Sequence, residues 1–318
     1  MAILSRANSD REFKRVYNKA LEALKQGIHP VLIPIGSSGS YFIRDQNLEN
    51  IAVFKPCDEE PFAALNPKWP KILCFCCFGR ACLIPNNGYL SETGASIVDD
   101  MLQLHIVPKT RVRRLASPSF FYSRCCGHHE IKPKEGSFQV NTGYESAQTV
   151  FSRWDYDKSL LSHSEEDRFR YLFQKMIVLD YIIRNTDRHM DNLLIRHIPG
   201  KVIELAAIDN GLAFPVKHPE CVSRFRTFPF RWTNYRWAKE PWDVELRTYL
   251  LASINPAFLH DLCHKLKVNV FKPPRVIVKA RYAFNHLQRY LMKSNAWRLP
   301  QGLINSESFI LKALAFNP

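Results

Sequence analysis

Three polar side chains in the middle of the chain have the types and spacing that phosphoryl transfer requires. Asp187 and Asn192 form a D-x-x-x-x-N pattern after an apolar helix end, and Asp209 follows a short apolar run. Between Asn192 and Asp209 the sequence predicts two strands and a turn at Pro199-Gly200, a hairpin that brings the three side chains together. Kinases use such a set: one carboxylate beside the attacking hydroxyl, and an Asn and an Asp that bind Mg²⁺.

An Asp-rich loop by itself is usually a solvated turn, so the interpretation requires a nucleotide site elsewhere in the chain. A Gly/Ser loop at residues 36–40 joins two predicted strands, and its small residues allow backbone N–H groups to approach a phosphate. A strand follows the loop, and no Gly-Lys-Ser/Thr ends it, so it is not a Walker A loop. Lys55 ends the next predicted strand, where the kinase fold keeps the lysine that contacts the α- and β-phosphates.

A partner for Lys55 is expected on the predicted helix at residues 90–102. Glu92 and Asp99 are both candidates for the carboxylate that pairs with this lysine in kinases. Either could instead be an ordinary acid on a solvated helix face. The sequence leaves the choice between Glu92 and Asp99 open.

Composition limits the classes of protein. The 318 residues are 46% hydrophobic, enough for a large folded core, and the net charge of +14 predicts an anionic partner. That partner could be a nucleic acid, an acidic lipid surface or a phosphorylated small molecule. The chain shows no signal-peptide pattern and no apolar run near the roughly 18 residues that span a bilayer, so we expect a soluble or peripheral protein on the cytosolic side.

The nine cysteines are clustered and odd in number, which argues against a disulfide framework. Cys74, Cys76 and Cys77 lie among apolar residues, and we interpret them as S-acylation sites. A zinc site is the alternative, although the spacing fits zinc poorly. Its candidate ligands are Cys74, Cys76, Cys77, Cys82, Cys125, Cys126, His128 and His129.

The order of predicted elements indicates an α+β, bilobal, protein-kinase-like fold. Residues 9–140 would form a β-rich N-lobe with the glycine loop and the Cys-rich segment, and residues 141–318 an α-rich C-lobe. A basic and aromatic stretch at 224–242 carries Trp232, Trp237 and Trp242. We expect these tryptophans to contact a membrane interface, with burial in the C-lobe core as the alternative.

Several stretches together resemble the type II phosphatidylinositol 4-kinases, over roughly residues 9–270. The matching stretches are GSSGSYF at 36–42, AVFKP at 52–56, EEP at 59–61, LNPKW at 65–69, GYLSE at 88–92, GSFQ at 136–139, VLDYIIRNTD at 178–187 and AIDNGLAFP at 207–215. Three features depart from the family pattern. The cysteine motif lacks one thiol, His189-Met190 stands where the family tends to have Gly-Asn, and the loop after Asp209 is a few residues longer.

The resemblance implies use of ATP with Mg²⁺ to phosphorylate the inositol 4-hydroxyl of phosphatidylinositol. It places the protein peripherally on the cytoplasmic face of intracellular membranes, Golgi or endosomal, held by acylated cysteines and a basic, aromatic surface. It implies catalytic roles for Asp187, Asn192, Asp209 and Lys55, with Asn192 and Asp209 on the metal. The implied nucleotide-binding residues are Ser37, Ser38, Gly39, Ser40, Tyr41, Phe42, Lys55, Gln139, Val140 and Asp209.

Two other functions compete with this interpretation. One is a protein kinase or a small-molecule kinase of the same fold, although the His-Arg-Asp and Asp-Phe-Gly forms are absent. The other is a non-catalytic module that binds membranes or nucleic acid through its basic and aromatic residues. Because all four catalytic candidates are retained together, we favour the lipid kinase and expect no nucleic-acid partner.

Overall fold

A five-stranded antiparallel sheet forms the first lobe of the protein. The computed structural model describes residues 9–61, 63–68, 82–122, 131–215 and 230–270. The strands lie in the order β1-β2-β3-β5-β4, so the strand that carries Lys55 lies in the middle. They are β1 (Val31–Leu32), β2 (Tyr41–Arg44), β3 (Asn50–Pro56), β4 (Thr110–Leu115) and β5 (Lys134–Val140).

Helix α1 (Asp10–Lys25) covers one face of this sheet. It begins where the Ser9 side chain accepts a hydrogen bond from the Glu12 backbone N–H at 3.1 Å. Its apolar side chains recur at helical spacing, and the ring of Phe13 meets that of Phe138 on β5 edge to face at 5.7 Å. The shared core consists of Phe13, Val16, Ala20, Tyr41, Ile43, Ala52, Phe54, Leu115, Phe120, Phe138 and Val140.

The second lobe combines a three-stranded antiparallel sheet with helices. The helix His163–Ile183 is buried on nearly every side over its last turns, which lead directly into the loop with Asp187. The strands are β6 (Glu145–Ser146), β7 (Leu193–Ile198) and β8 (Val202–Ala207), in that order. The helices are α3 (Ala147–Tyr156), α4 (His163–Ile183), α5 (Val244–Ser253) and α6 (Pro256–Asn269).

Helix α2 (Gly88–Met101) lies between the lobes. Ala95 and Val98 belong to the hydrophobic core of the second lobe, while the Ser96 Oγ accepts a hydrogen bond from the backbone N–H of Thr110 on β4 at 3.1 Å. The predicted α+β bilobal fold is confirmed. The boundary at residue 140 stays a prediction, with β5 ending at Val140 and β6 beginning at Glu145. Residues 271–318 of the predicted C-lobe lie outside the described residues.

The predicted membrane contact of three tryptophans is wrong. Trp232, Trp237 and Trp242 are 0%, 6% and 3% exposed, and all belong to the core of the second lobe. The Trp237 ring lies 4.7 Å from the ring of Phe169 on α4 and 4.9 Å from that of Phe151 on α3. In the part of the chain that the structure describes, no helix is long and apolar enough to cross a membrane.

We expect Trp237→Ala to lower the free energy of unfolding by about 3–5 kcal/mol, because it removes a large buried ring and leaves a cavity. Tyr156→Ala is the matched control, since Tyr156 is 94% exposed. Urea denaturation of both variants measures the difference. A Trp237 variant with normal stability and reduced vesicle binding would contradict the burial and restore the membrane role.

Candidate active site

Lys55 connects both lobes through its ammonium group. The Nζ atom donates to Glu92 Oε1 at 2.6 Å and to Asp209 Oδ1 at 2.8 Å. Glu92 on α2 is therefore the partner of Lys55 that the sequence left undetermined. The other candidate, Asp99, instead accepts hydrogen bonds from the backbone N–H groups of Ile106 and Val107.

Lys55 lies between Glu92 and Asp209, and its positive charge stabilises the negative charge of each carboxylate. Burial raises the pKa of Glu92, and the neighbouring Lys55 opposes that rise. The Lys55 charge holds the pKa of Asp209 below its usual range. Burial alone would lower the pKa of Lys55, but the charges of Asp209 and Glu92 outweigh it and raise that pKa. Lys55 therefore remains a cation at neutral pH.

The loop after α4 and the β7–β8 hairpin bring Asp187, Asn192 and Asp209 together, as the spacing predicts. The Asn192 side-chain amide donates to the backbone carbonyl of Asp187 at 3.0 Å. The backbone N–H of Ile208, next to Asp209, donates to the carbonyl of Asn192 at 3.0 Å. The backbone N–H of Asp187 is held by the Asn185 side chain at 2.9 Å. The three residues thus share one hydrogen-bonded frame.

Arg188 forms the centre of that frame, and the sequence analysis missed it. It is 2% exposed and forms an ion pair with Asp180 at 3.0 Å, both side chains being fully buried. Its Nη1 donates to the carbonyls of Asn192 at 2.6 Å and Ile208 at 2.7 Å. One guanidinium therefore fixes the backbone at both predicted metal ligands. The available sequence signal was a charged residue, Asp180, within an apolar helix.

The backbone at Asp209 is in the left-handed region, with φ of 51°. A non-glycine residue in this conformation is strained, and such strain persists where the surroundings hold it for a function. Here the strand β8 before it and Asn210 after it are both anchored, since Asn210 is fully buried and its Oδ1 accepts a hydrogen bond from Arg188. The strained residue is thus the one whose carboxylate pairs with Lys55.

The glycine loop at residues 36–40 lies directly before β2. Gly39 and Ser40 are buried, whereas Ser37 and Ser38 are partly exposed. The Gly39 N–H donates to the Glu59 carbonyl at 2.8 Å, so this N–H is directed away from any phosphate. Nucleotide contact by the other loop residues stays a prediction.

The structure also restricts the other predicted nucleotide contacts. The Tyr41 side chain is 0% exposed in the first-lobe core, so the prediction that it contacts nucleotide is wrong for the side chain. Phe42 lies beside it on β2 and is partly exposed. Gln139 donates its side-chain amide to Thr110 Oγ1 at 2.9 Å, and Val140 packs into the same core as Tyr41. Nucleotide contact by Gln139 and Val140 at the end of β5 stays a prediction.

Asn192 and Asp209 fit a magnesium ion. The Asp209 side chain is 55% exposed although it pairs with Lys55, and Asn192, whose side-chain amide carries an oxygen that can bind a metal, belongs to the same hydrogen-bonded frame. Mg²⁺ prefers oxygen ligands and commonly takes few from the protein, completing its shell with substrate phosphates and water. Among the described residues, no group of three His, Cys, Asp or Glu side chains could hold a metal ion.

The proposed acylation sites Cys74, Cys76 and Cys77 lie outside the described residues, as do most candidate zinc ligands. Of the cysteines that the structure describes, Cys57 and Cys263 are partly exposed and Cys82 is buried. Burial raises the pKa of the Cys57 thiol to about 11, which leaves it a weak nucleophile.

Comparison with known proteins identifies the family. Residues 36–237 match the family model "Phosphatidylinositol 3- and 4-kinase". Phosphatidylinositol 4-kinase type 2-beta of Xenopus tropicalis is 38% identical, over 92% of this chain and 68% of that protein. Phosphatidylinositol 4-kinase type 2-alpha of Danio rerio is 42% identical, over 80% of this chain and 65% of that protein.

Among solved structures, hydra Fam20 with sugar covers 90% of this chain and 89% of its own, at 13% identity and a TM-score of 0.44. A likeness at this level carries no weight in the assignment, which rests on the sequence relatives. The matches to those relatives extend over most of the chain. The chain therefore belongs to the type 2 phosphatidylinositol 4-kinases, which are lipid kinases of the phosphatidylinositol 3- and 4-kinase family.

Proposed function

We propose that this protein transfers the γ-phosphate of ATP to the 4-hydroxyl of phosphatidylinositol and gives phosphatidylinositol 4-phosphate. The observation that carries the proposal is the convergence of Lys55, Asp187, Asn192 and Asp209 on one cleft between the lobes. The names of the relatives supply the acceptor, and the geometry supplies groups for phosphoryl transfer.

Lys55 would hold the nucleotide phosphates. An ammonium group has three N–H donors, and two of them bind Glu92 and Asp209. The third can therefore reach a phosphate oxygen while the other two fix the direction of the side chain. Glu92 is 2% exposed, so this ion pair is shielded from water and holds β3 against α2.

Asn192 and Asp209 would hold Mg²⁺, whose charge offsets the negative charge that develops on the phosphoryl oxygens. The backbone frame centred on Arg188 keeps these two oxygen donors at a fixed separation. Since transfer depends mainly on positioning and electrostatics, a rigid frame contributes directly to the rate.

Asp187 would orient the acceptor hydroxyl and take its proton. The hydroxyl oxygen forms a bond to the γ-phosphorus, the bond from that phosphorus to the β,γ-bridging oxygen breaks, and ADP leaves. The hydrogen bonds from the Asp187 N–H to Asn185 and from Asn192 to the Asp187 carbonyl hold the loop that presents this carboxylate.

The acceptor is tested by incubating the purified protein with labelled ATP in three separate reactions. These contain phosphatidylinositol vesicles, a mixed peptide set or no acceptor. We expect label in the lipid, and head-group analysis should place it on the 4-hydroxyl. Label confined to peptide would favour the protein-kinase alternative. Label at the 3-hydroxyl would agree with lipid phosphorylation but would contradict the proposed 4-hydroxyl as the acceptor.

Membrane attachment is proposed to come from acyl chains on Cys74, Cys76 and Cys77 together with basic side chains. One acyl chain gives only marginal binding, and attraction to anionic lipid is the usual second contribution. The net charge of +14 supports that contribution. The site of action would be the cytoplasmic face of intracellular membranes, Golgi or endosomal.

We expect Asp187→Asn to lower kcat for lipid phosphorylation by about 10²- to 10⁴-fold, because the amide cannot accept the hydroxyl proton. Nucleotide affinity should stay within twofold, since Asp187 is placed on the acceptor side. Asp191→Asn is the matched control, from a neighbouring carboxylate that is 73% exposed. Activity of the Asp187 variant within tenfold of the unmodified protein would remove the proposed role.

We expect Lys55→Met and Asp209→Ala to weaken binding of Mg-ATP by about tenfold or more, since each removes a charge facing the phosphates or the metal. Titration with a fluorescent ATP analogue, with and without Mg²⁺, measures both effects. Only the Asp209 variant should lose the dependence on Mg²⁺. Lys25→Met, at a side chain that is 75% exposed, is the control. Unchanged affinity in both variants would place the nucleotide elsewhere.

We expect replacement of Cys74, Cys76 and Cys77 by Ser to move the protein from the membrane fraction to the soluble fraction of cells. Turnover on detergent-solubilised lipid should not change, because these residues have no proposed part in the chemistry. Cys263→Ser is the control. A triple variant that remains on membranes would exclude acylation at these positions as the anchor.

A further inference from the structure

A buried carboxylate directly behind the glycine loop has no part in the chemistry derived above. Glu59 is 0% exposed and ends the short 3-10 turn Cys57–Glu59, which follows the strand carrying Lys55. Its Oε2 accepts from the Tyr41 hydroxyl at 2.5 Å. Its Oε1 accepts from Lys134 Nζ at 2.7 Å and from the Phe121 N–H at 3.0 Å. One fully buried carboxylate therefore accepts all three of these hydrogen bonds.

The backbone and side chain of Glu59 together hold the C-terminal end of the loop. Its carbonyl accepts from the Gly39 N–H at 2.8 Å, while its carboxylate holds Tyr41 two residues later. A Cβ at Gly39 would lie 2.5 Å from the Glu59 carboxylate oxygen and 2.7 Å from the Glu59 Cβ. Position 39 therefore requires glycine because Glu59 approaches it so closely.

The segment after Glu59 holds the rest of the loop. The Asn66 side-chain amide donates to the carbonyl of Ser37 at 3.0 Å and to that of Glu60 at 2.9 Å. Lys68 Nζ donates to the carbonyl of Ile35 at 2.8 Å. The loop is thus attached at alternate residues, and Glu59 supplies the only one of these attachments that is fully buried.

The charge of Glu59 is balanced inside the lobe. Burial raises its pKa, and hydrogen bonds from Lys134 and Tyr41 oppose that rise. Lys134 is itself buried and also pairs with Asp58 at 3.0 Å. A buried, paired charge is sensitive to loss of one partner, because the remaining group is left without compensation. A small change at Glu59 should therefore affect the loop strongly.

We propose that Glu59 is a positioning residue that fixes the glycine loop in the geometry that binds the phosphates of ATP. This inference depends on the proposed function only where its test measures lipid phosphorylation. Glu59 does not touch the nucleotide; it acts through Gly39 and Tyr41. Its loss should weaken use of ATP and leave use of phosphatidylinositol unchanged, because the acceptor lies on the side of the second lobe that carries Asp187.

Glu59→Gln tests the proposal, with Asp58→Asn as the matched control. Asp58 lies on the same turn and contacts the same Lys134, but its side chain is 39% exposed and takes no part in the hydrogen bonds that hold the loop among the described residues. For Glu59→Gln we expect the KM for ATP to rise about tenfold and the KM for phosphatidylinositol to stay within twofold. Asp58→Asn should change neither. Equal rises in both constants, or none, would overturn the proposal.

Hydrogen exchange separates positioning from general destabilisation. In Glu59→Gln the amides of residues 35–40 should exchange at least tenfold faster, while those of α6, in the other lobe, should not change. Faster exchange throughout the protein would assign Glu59 to stability alone and overturn the proposal. Tyr41→Phe removes only one hydrogen bond and keeps the ring, so it decides the question if Glu59→Gln does not fold; a rise of about threefold in KM for ATP is expected.

The affinity for a fluorescent ATP analogue, measured without lipid, keeps this proposal separate from the proposed function. Weaker nucleotide binding in Glu59→Gln than in Asp58→Asn supports the positioning role whichever acceptor the enzyme uses. Equal nucleotide affinities overturn it, even where lipid phosphorylation is normal.

Discussion

The buried ion pair between Arg188 and Asp180 is the interaction on which the active site depends. Removing two charges from water is costly, and the cost is offset only when every donor and acceptor is satisfied. Here the guanidinium binds Asp180 on α4, the Asn192 and Ile208 carbonyls and the Asn210 side chain. Helix, catalytic loop and hairpin are therefore fixed to one another by a single planar group whose donors have a fixed geometry.

Lys55 connects the two lobes, just as Arg188 connects the helix, the catalytic loop and the hairpin of the second lobe. Its ammonium group lies between Glu92 on α2 and Asp209 after β8, so the first-lobe sheet, the interlobe helix and the strained turn at Asp209 share one charge centre. Glu59 adds the glycine loop to the same assembly, since it lies only a few residues beyond Lys55 on the same chain segment. The parts that would bind ATP are thus fixed to each other before they bind it, which lowers the entropy cost of binding.

The sequence predicts what depends on local pattern and spacing. The hairpin between Asn192 and Asp209, the loop at 36–40 and Lys55 at the strand end all follow from turn residues and alternation. It leaves Glu92 and Asp99 undecided because the two lie seven residues apart on the same face of one helix, and only tertiary packing chooses between them. It does not reveal Arg188 or Glu59, because a buried charge looks like a surface charge until its distant partners are known. The sequence also does not distinguish a buried tryptophan from an interfacial one, because aromatic residues among arginines suit a core as well as a membrane interface.

The burial of the tryptophans changes the physical account of membrane attachment. Trp232, Trp237 and Trp242 belong to the core of the second lobe, where Trp237 packs against α3 and α4, so their apolar area stabilises that lobe and is not available to lipid. Under the proposed attachment, the binding energy then comes from acyl chains and basic side chains and not from these three tryptophans. Each acyl CH₂ that enters the bilayer contributes about 0.8 kcal/mol, whereas each basic residue near an anionic surface contributes about 1 kcal/mol that salt screens. Attachment would therefore follow the acylation state closely and depend on the charge of the lipid.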